Sequence, residues 1–177
     1  NHDTDRFLGE GKDTLALKQA LALLLTINRI PQLYYGTEVL MNGTKTKTDG
    51  DVRRDFPGGF AGDTHDAFTA EGRTKAEQSM FDWLSKLLHW RRNNAVISRG
   101  RQVQFIPYKG VYVIARQLDN KTVLTILNGK HTPVDLPLDR YTEVIGSHQE
   151  AKDIITDCKV RLDKTLKLKA RETKVLE

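Results

Sequence analysis

Residues 30–41 read IPQLYYGTEVLM, and the fold of the first half turns on them. "QLYY" is a short β-type run closed by Gly36. Ahead of it, DTLALKQALALLLTIN (residues 13–28) has the length and leucine content of a four-turn helix, with Asp13 or Thr14 as N-cap. Its leucines cover most of the circumference, so burial on nearly every side is expected. Behind it, residues 42–72 form a Gly- and Asp-rich loop too long to lack a purpose. Thr74 and Glu77 then make a capping box opening a second helix that runs to about Asn93. Ala76, Met80, Trp83, Leu84, Leu87, Leu88 and Trp90 give that helix an apolar face. Helix, strand, long loop and helix follow α/β grammar, yet one short strand cannot make a sheet. Residues 1–94 therefore read as an α/β fragment whose missing neighbours imply truncation on the N-terminal side.

From residue 95 the period changes to two. QVQFIPY, GVYVIARQ, TVLTILN, TPVDLPL, YTEVI, DCKVRL, TLKLKA and ETKVLE are strand candidates. The pairs Lys109-Gly110, Asp119-Asn120 and Asn128-Gly129 supply turn chemistry between several of them. So many short strands in residues 95–177 predict an all-β antiparallel sandwich. No internal repeat or low-complexity tract interrupts either half.

Hydrophobic content of 38% against 29% charged residues suits a globular chain rather than a disordered one. The longest apolar run, ALALLL at residues 20–25, is far short of a membrane span, and no signal-peptide pattern opens the sequence. A formal charge of +5 gathers toward the end, where residues 158–177 hold seven Lys or Arg against three Asp or Glu. In TLKLKA the lysines alternate with leucines, as on a strand with one solvated face, and no aromatic residues interleave with them. Nucleic acid is thus not the expected partner. Cys158 is the single cysteine, so no intrachain disulfide exists, and its strand-like surroundings suggest a buried thiol.

The chain begins NHDTDRFL (residues 1–8). Alone, Asn-His-Asp reads as an Asx-turn or capping loop. Joined to the following helix and to YYGTE, it closely resembles the α-amylase family of glycoside hydrolases, nearest the neopullulanase and cyclomaltodextrinase branch. In that family an N-H-D motif ends the seventh strand of a (β/α)8 barrel, and a P-x-x-Y-Y-G-x-E segment forms the eighth strand and its exit. A β-sandwich follows the barrel. The resemblance covers essentially all of the chain. It implies an α-glucan oligosaccharide or polysaccharide substrate in a parent enzyme that cleaves α-glucosidic bonds with retention. It implies no obligatory cofactor; calcium is admitted in the parent, and no metal site is read here. Localisation is unknown from the residues, a periplasmic or secreted setting being a family-level expectation.

By the same resemblance Asp3 is the third catalytic carboxylate, which steadies the distorted sugar, and His2 hydrogen-bonds that sugar. Asp49 and Arg53, at i and i+4 in DGDVR, resemble the D-P-x-x-R element that clamps the sugar, although Gly50 replaces the proline. The alternative for this pair is a solvated loop salt bridge. The family's nucleophile, in G-x-R-x-D, and its general acid both precede N-H-D. Arg53-Arg54-Asp55 is a decoy, lacking the glycine and the apolar strand. Retaining hydrolysis needs two carboxyl groups about 5 Å apart, so this chain alone is expected to be inactive. The other reading is a non-catalytic carbohydrate-binding or interaction module centred on the β half. Asp63, His65 and Asp66 in GDTHDAF read as a solvated loop rather than a metal or sugar site. One of Tyr34 and Tyr35 is expected in the core, the other being open to a sugar-stacking role. The leucines around residues 21–25 are expected to self-associate if left uncovered.

Overall fold

A computed structural model describes residues 1–11 and 13–177. The chain divides into two compact units, residues 1–17 with 31–86 and residues 18–30 with 87–177. The division falls inside helices α1 (Thr14–Thr26) and α3 (Lys75–Arg92).

Unit one is built from turns and short helices. Asp13 caps α1, its Oδ1 accepting from the Ala16 N–H at 2.9 Å. The leucine-rich helix is buried along Leu17, Leu21, Ala22 and Leu25, whereas Leu15 is exposed, so one stripe rather than the whole circumference is covered. Residues 31–34 carry no regular structure, and a 3-10 turn follows at Thr37–Val39. The expected strand at QLYY is therefore absent. A strand exists only with a hydrogen-bonding neighbour, and no strand lies among the described residues of this unit. A four-residue helix α2, Asp49–Val52, is capped by Thr48, whose Oγ1 accepts from Asp51 N–H at 3.1 Å. The capping box at α3 forms as expected. Thr74 N–H donates to Glu77 Oε2 at 2.8 Å and Glu77 N–H returns to Thr74 Oγ1 at 3.3 Å.

Unit two carries all the strands. Asn94 caps α4 (Ala95–Arg99), its Oδ1 accepting from the Val96 and Ile97 N–H groups. Strands β1 (Arg101–Gln104), β2 (Val111–Leu118), β3 (Lys121–Asn128) and β8 (Thr173–Leu176) form an antiparallel sheet in the order β1-β2-β3-β8. The long β2–β3 hairpin runs in register from Val111 opposite Asn128 to Leu118 opposite Lys121. Two further ladders pair β4 (Val134–Pro137) with β7 (Thr165–Leu168), and β5 (Glu150–Lys152) with β6 (Lys159–Arg161). Val111, Val113, Ala115, Leu124 and Ile126 share one core with Val134, Leu136, Leu166 and Leu168, which gives the expected sandwich packing.

Two expectations need correction here, and one strand was not foreseen. YTEVI is not a strand but helix α5 (Thr142–Ile145), entered through a 3-10 turn at Leu138–Tyr141. Tyr141, Val144 and Ile145 are buried at helical spacing. Strand β5 was not anticipated, because its three residues, Glu150, Ala151 and Lys152, include no β-branched or aromatic side chain. Cys158 is exposed, since it lies in the connection between β5 and β6 rather than inside a ladder.

The second face of the β2–β3 hairpin is covered too. Ile114 and Arg116 of β2 and Thr125 of β3 are buried there. Arg116, only 1% exposed, donates through Nη1 to the Thr26 carbonyl at 3.2 Å and through Nη2 to the Gly100 carbonyl at 2.6 Å. Thr26 O belongs to the last turn of α1, where a cation is favoured by the orphan carbonyls. Thr125 Oγ1 lies 2.8 Å from Thr26 Oγ1, and Gln19 Nε2 donates to the Asn128 carbonyl at 2.7 Å. Among the described residues, no helix is long and apolar enough to cross a membrane.

Two outcomes follow from these contacts. Arg116→Ala leaves two buried carbonyls without a donor and is expected to cost about 3 kcal/mol in urea denaturation. Lys121→Ala, at an exposed position of the neighbouring strand, is expected to change stability by less than about 0.5 kcal/mol. Equal effects would remove the role given to Arg116. At α3, burial raises the Glu77 carboxyl pKa, but hydrogen bonds from Thr74 and His65 outweigh it and hold the group below its usual value. A depressed carboxyl pKa stabilises above the unfolded-state value and loses that stabilisation as pH falls through the folded one. Glu77→Ala should thus lose about 1 kcal/mol at neutral pH, a gap that narrows below about pH 4. A gap that is constant with pH would contradict the ionised cap.

Candidate functional site

The first residues fold into a tight turn, with Asp3 N–H donating to Asn1 Oδ1 at 2.8 Å. The Asx-turn reading of Asn-His-Asp is thus realised, and it leaves the His2 and Asp3 side chains outward. Asp3 is 63% exposed and His2 61% exposed at the side chain, with His2 Nε2 3.2 Å from Asp3 Oδ2.

Helix α2 brings the second motif to the first. One helical turn sets Asp49 and Arg53 on the same face, with Arg53 as the C-cap residue. Arg53 Nε donates to the His2 carbonyl at 3.0 Å, and Nη2 donates to Asp3 Oδ1 at 3.2 Å. The same Nη2 lies 3.7 Å from Asp49 Oδ2. One guanidinium therefore joins His2, Asp3 and Asp49, residues that the sequence separates by about fifty positions. These ion pairs are exposed and add little to stability. Their effect is orientation, because a planar fork fixes both a carbonyl and a carboxylate at once.

Lys45 and Arg6 complete the surroundings and were not singled out in the sequence. Lys45 Nζ lies 3.2 Å from Asp49 Oδ1 and donates to the Asp3 carbonyl at 3.2 Å. Its i, i+4 relation to Asp49 was the available signal. The Lys45 N–H donates to Asp5 Oδ1 at 2.7 Å, fastening residues 3–5 to residue 45 twice. Arg6 is 4% exposed, with its guanidinium 4.4 Å and 4.8 Å from the Tyr34 and Tyr35 ring centres. Its Nη1 donates to the Tyr35 carbonyl at 2.7 Å. Nothing in the sequence distinguished this arginine from a solvated one.

The support behind the motif is continuous. Arg6 N–H donates to the Gly43 carbonyl at 3.1 Å, and Gly43 N–H donates to the Gly9 carbonyl at 3.0 Å. Residue 43 must be glycine, since a Cβ there would sit 2.4 Å from the Asp51 carbonyl oxygen. The two tyrosine hydroxyls brace the end of α2 and the stretch after it: Tyr34 donates to the Val52 carbonyl at 3.2 Å and Tyr35 to the Arg54 carbonyl at 2.6 Å. Tyr34 is half-buried and Tyr35 is exposed, the two rings meeting edge to face at 4.7 Å. Burial, reinforced by Tyr35, raises the Tyr34 phenol above its usual pKa. Arg54 donates to Asn42 Oδ1 at 2.9 Å, and Arg54 and Asp55 carry no regular structure.

Asp63, His65 and Asp66 do not gather into one site. Asp63 and Asp66 accept from backbone N–H groups within their own loop, and His65 Nε2 lies 3.1 Å from Glu77 Oε1. Among the described residues, no group of three or more His, Cys, Asp or Glu side chains is placed to hold a metal ion.

Comparison with known proteins adds an independent line. The family described as "Cyclo-malto-dextrinase C-terminal domain" matches residues 102–177. A cyclomaltodextrin glucanotransferase of Geobacillus stearothermophilus is 30% identical over 154 residues, covering 82% of this chain and 19% of that protein. A maltogenic α-amylase of Bacillus acidopullulyticus is 26% identical over 184 residues, covering 100% of this chain and 28% of that protein. Among solved structures, the α-amylase of Geobacillus thermoleovorans, complexed with acarbose, aligns with a TM-score of 0.75 at 26% identity. That alignment covers 99% of this chain and 37% of the other. The chain thus spans less than a third of either curated relative. Over its length the chain is similar to the α-amylase family of glycoside hydrolases, and its residues 102–177 match the cyclo-malto-dextrinase C-terminal domain.

Proposed function

We propose that this chain supplies the sugar-gripping side of a retaining active centre that cleaves α-glucosidic bonds in starch, pullulan or maltooligosaccharides. In this reading residues 1–94 are the closing part of a (β/α)8 barrel and residues 95–177 its terminal sandwich. One observation carries it: a single guanidinium, Arg53, bonds to both His2 and Asp3 and lies beside Asp49. Two motifs that separately resemble parts of one sugar site thereby share a positioning group. The relatives' names, a cyclomaltodextrin glucanotransferase and a maltogenic α-amylase, support α-glucan as the substrate class.

Chemically, glycosidic cleavage with retention passes through an oxocarbenium-like state twice, with the sugar ring distorted toward a half-chair. Asp3 and His2 lie side by side and exposed, free to face ring hydroxyls. Hydrogen bonds to such hydroxyls strengthen as positive charge develops on the ring, and they supply several kcal/mol of the lowered barrier. Arg53 holds the Asp3 carboxylate from one side, which leaves its other oxygen lone pairs for the sugar. Asp49, between Lys45 and Arg53, fixes the guanidinium and is a positioning residue. The nucleophile and the general acid come from barrel strands outside this chain.

Two results are expected. The 177-residue chain alone should release no reducing sugar from maltoheptaose, and turnover by it would overturn the division of roles. Joined to the barrel segment of an α-amylase-family relative, the chain should complete a working enzyme. There Asp3→Asn should lower kcat about 10²–10³-fold, matching several kcal/mol of lost transition-state stabilisation. Activity within a few-fold of the parent would refute the assignment of Asp3.

A further inference from the structure

We propose that Arg6 is a positioning residue for the sugar site. Its buried guanidinium sets Tyr34 and Tyr35, whose hydroxyls hold the carbonyls on either side of Arg53 and so aim that side chain at His2 and Asp3. The inference rests on the function proposed above and adds a residue that acts through Arg53 rather than on the sugar. Burial of this arginine is what calls for an explanation. Arg6 is 4% exposed, and among the described residues its buried Nε and Nη2 have no hydrogen-bond partner. Only Nη1 is used, on the Tyr35 carbonyl at 2.7 Å. A buried guanidinium with open donors is destabilising, and an apolar side chain would fill the same space without that penalty. The cation therefore has its use in what it touches.

Two aromatic rings share that cation. The guanidinium carbon lies 4.4 Å from the Tyr34 ring centre and 4.8 Å from that of Tyr35, and the rings themselves meet edge to face at 4.7 Å. Attraction to both rings at once fixes the pair as a unit. The backbone beneath the rings is held as well. The Tyr34 carbonyl accepts from the Thr37 N–H at 3.2 Å and from Thr37 Oγ1 at 2.6 Å, while the Tyr35 carbonyl takes the Arg6 donor. Arg6 is itself pinned, its N–H donating to the Gly43 carbonyl at 3.1 Å and its carbonyl accepting from the Gly9 N–H at 2.8 Å.

The far ends of the two tyrosines bracket one residue. Tyr34 donates to the carbonyl of Val52 and Tyr35 to that of Arg54, the neighbours of Arg53 on either side. The Arg53 N–H is taken by the Gly50 carbonyl at 3.1 Å. With its own N–H and both flanking carbonyls engaged, the Arg53 backbone has little freedom to turn. Its side chain is exposed, so packing does not orient it. The direction in which it leaves the backbone does, and that direction ends on the His2 carbonyl and the Asp3 carboxylate. Small misplacements of a group that orients a reacting sugar are costly in rate.

The test reads Arg53 itself, through the rate at which its Nε proton exchanges with water in the full chain, followed by nitrogen-15 NMR. Arg6→Met should speed that exchange about 10-fold, the worth of one ordinary hydrogen bond. Tyr34→Phe/Tyr35→Phe, which removes only the hydroxyls, should do the same. Combining the two should add little, because both act along one route. Arg6→Lys keeps the cation without the planar fork and should fall between parent and Arg6→Met. Should Arg6→Met not fold, Arg6→Lys and the tyrosine variant decide. Unchanged Arg53 exchange in the tyrosine variant would overturn the proposal, and so would effects that multiply on combination. In the completed enzyme these variants should lower kcat on maltoheptaose more than they raise KM. Faster Arg53 exchange with kcat unchanged would keep the positioning and remove the sugar-gripping function, so the two readings fail separately.

Discussion

Covering both faces of the β2–β3 hairpin is the constraint on which the second unit depends. A sheet solvated on one face alternates polar and apolar residues, but here Val113, Ile114, Ala115 and Arg116 are all buried in succession. One face closes against β4, β7 and the region around Tyr141. The other must bury an arginine, which is tolerable only because Thr26 and Gly100 offer carbonyls at helix ends. That single guanidinium ties the end of α1, the end of α4 and the middle of β2 together.

The first unit is organised differently. It has no ladder among the described residues; side-chain to backbone hydrogen bonds shape its loops instead. Aspartates 5, 51, 63 and 66 each accept a backbone N–H from a loop, and arginines 6, 53, 54 and 73 donate to loop carbonyls. Loops held in this way can present polar and aromatic side chains to a ligand without needing them for packing. The His2–Asp3 pair is presented like this.

The local features were the legible ones. The Thr74–Glu77 capping box, the Asp13 cap and the β2–β3 hairpin each lie within a short window whose chemistry states its own geometry. YTEVI failed because five residues fit two periods, and the i, i+3, i+4 burial of Tyr141, Val144 and Ile145 decides for helix. QLYY failed because strand formation depends on partners rather than on the residues themselves. Strand β5 was not legible because Glu150, Ala151 and Lys152 are residue types depleted in strands, and three residues are too few to show a period. At the site, His2, Asp3, Asp49 and Arg53 were readable as types and spacings, but that Arg53 reaches back across fifty residues was not. Lys45 and Arg6 acquire their roles only from that tertiary closure.

The central claim is that Asp3 and Arg53 act as one unit on the sugar, and a double-mutant cycle on kcat/KM addresses it most directly. In the completed enzyme, Asp3→Asn, Arg53→Ala and the double variant would be compared on maltoheptaose. The account predicts strong non-additivity, the double variant losing little more than Asp3→Asn alone, because the guanidinium serves through the carboxylate it orients. Losses that simply multiply would show two independent residues and contradict the account.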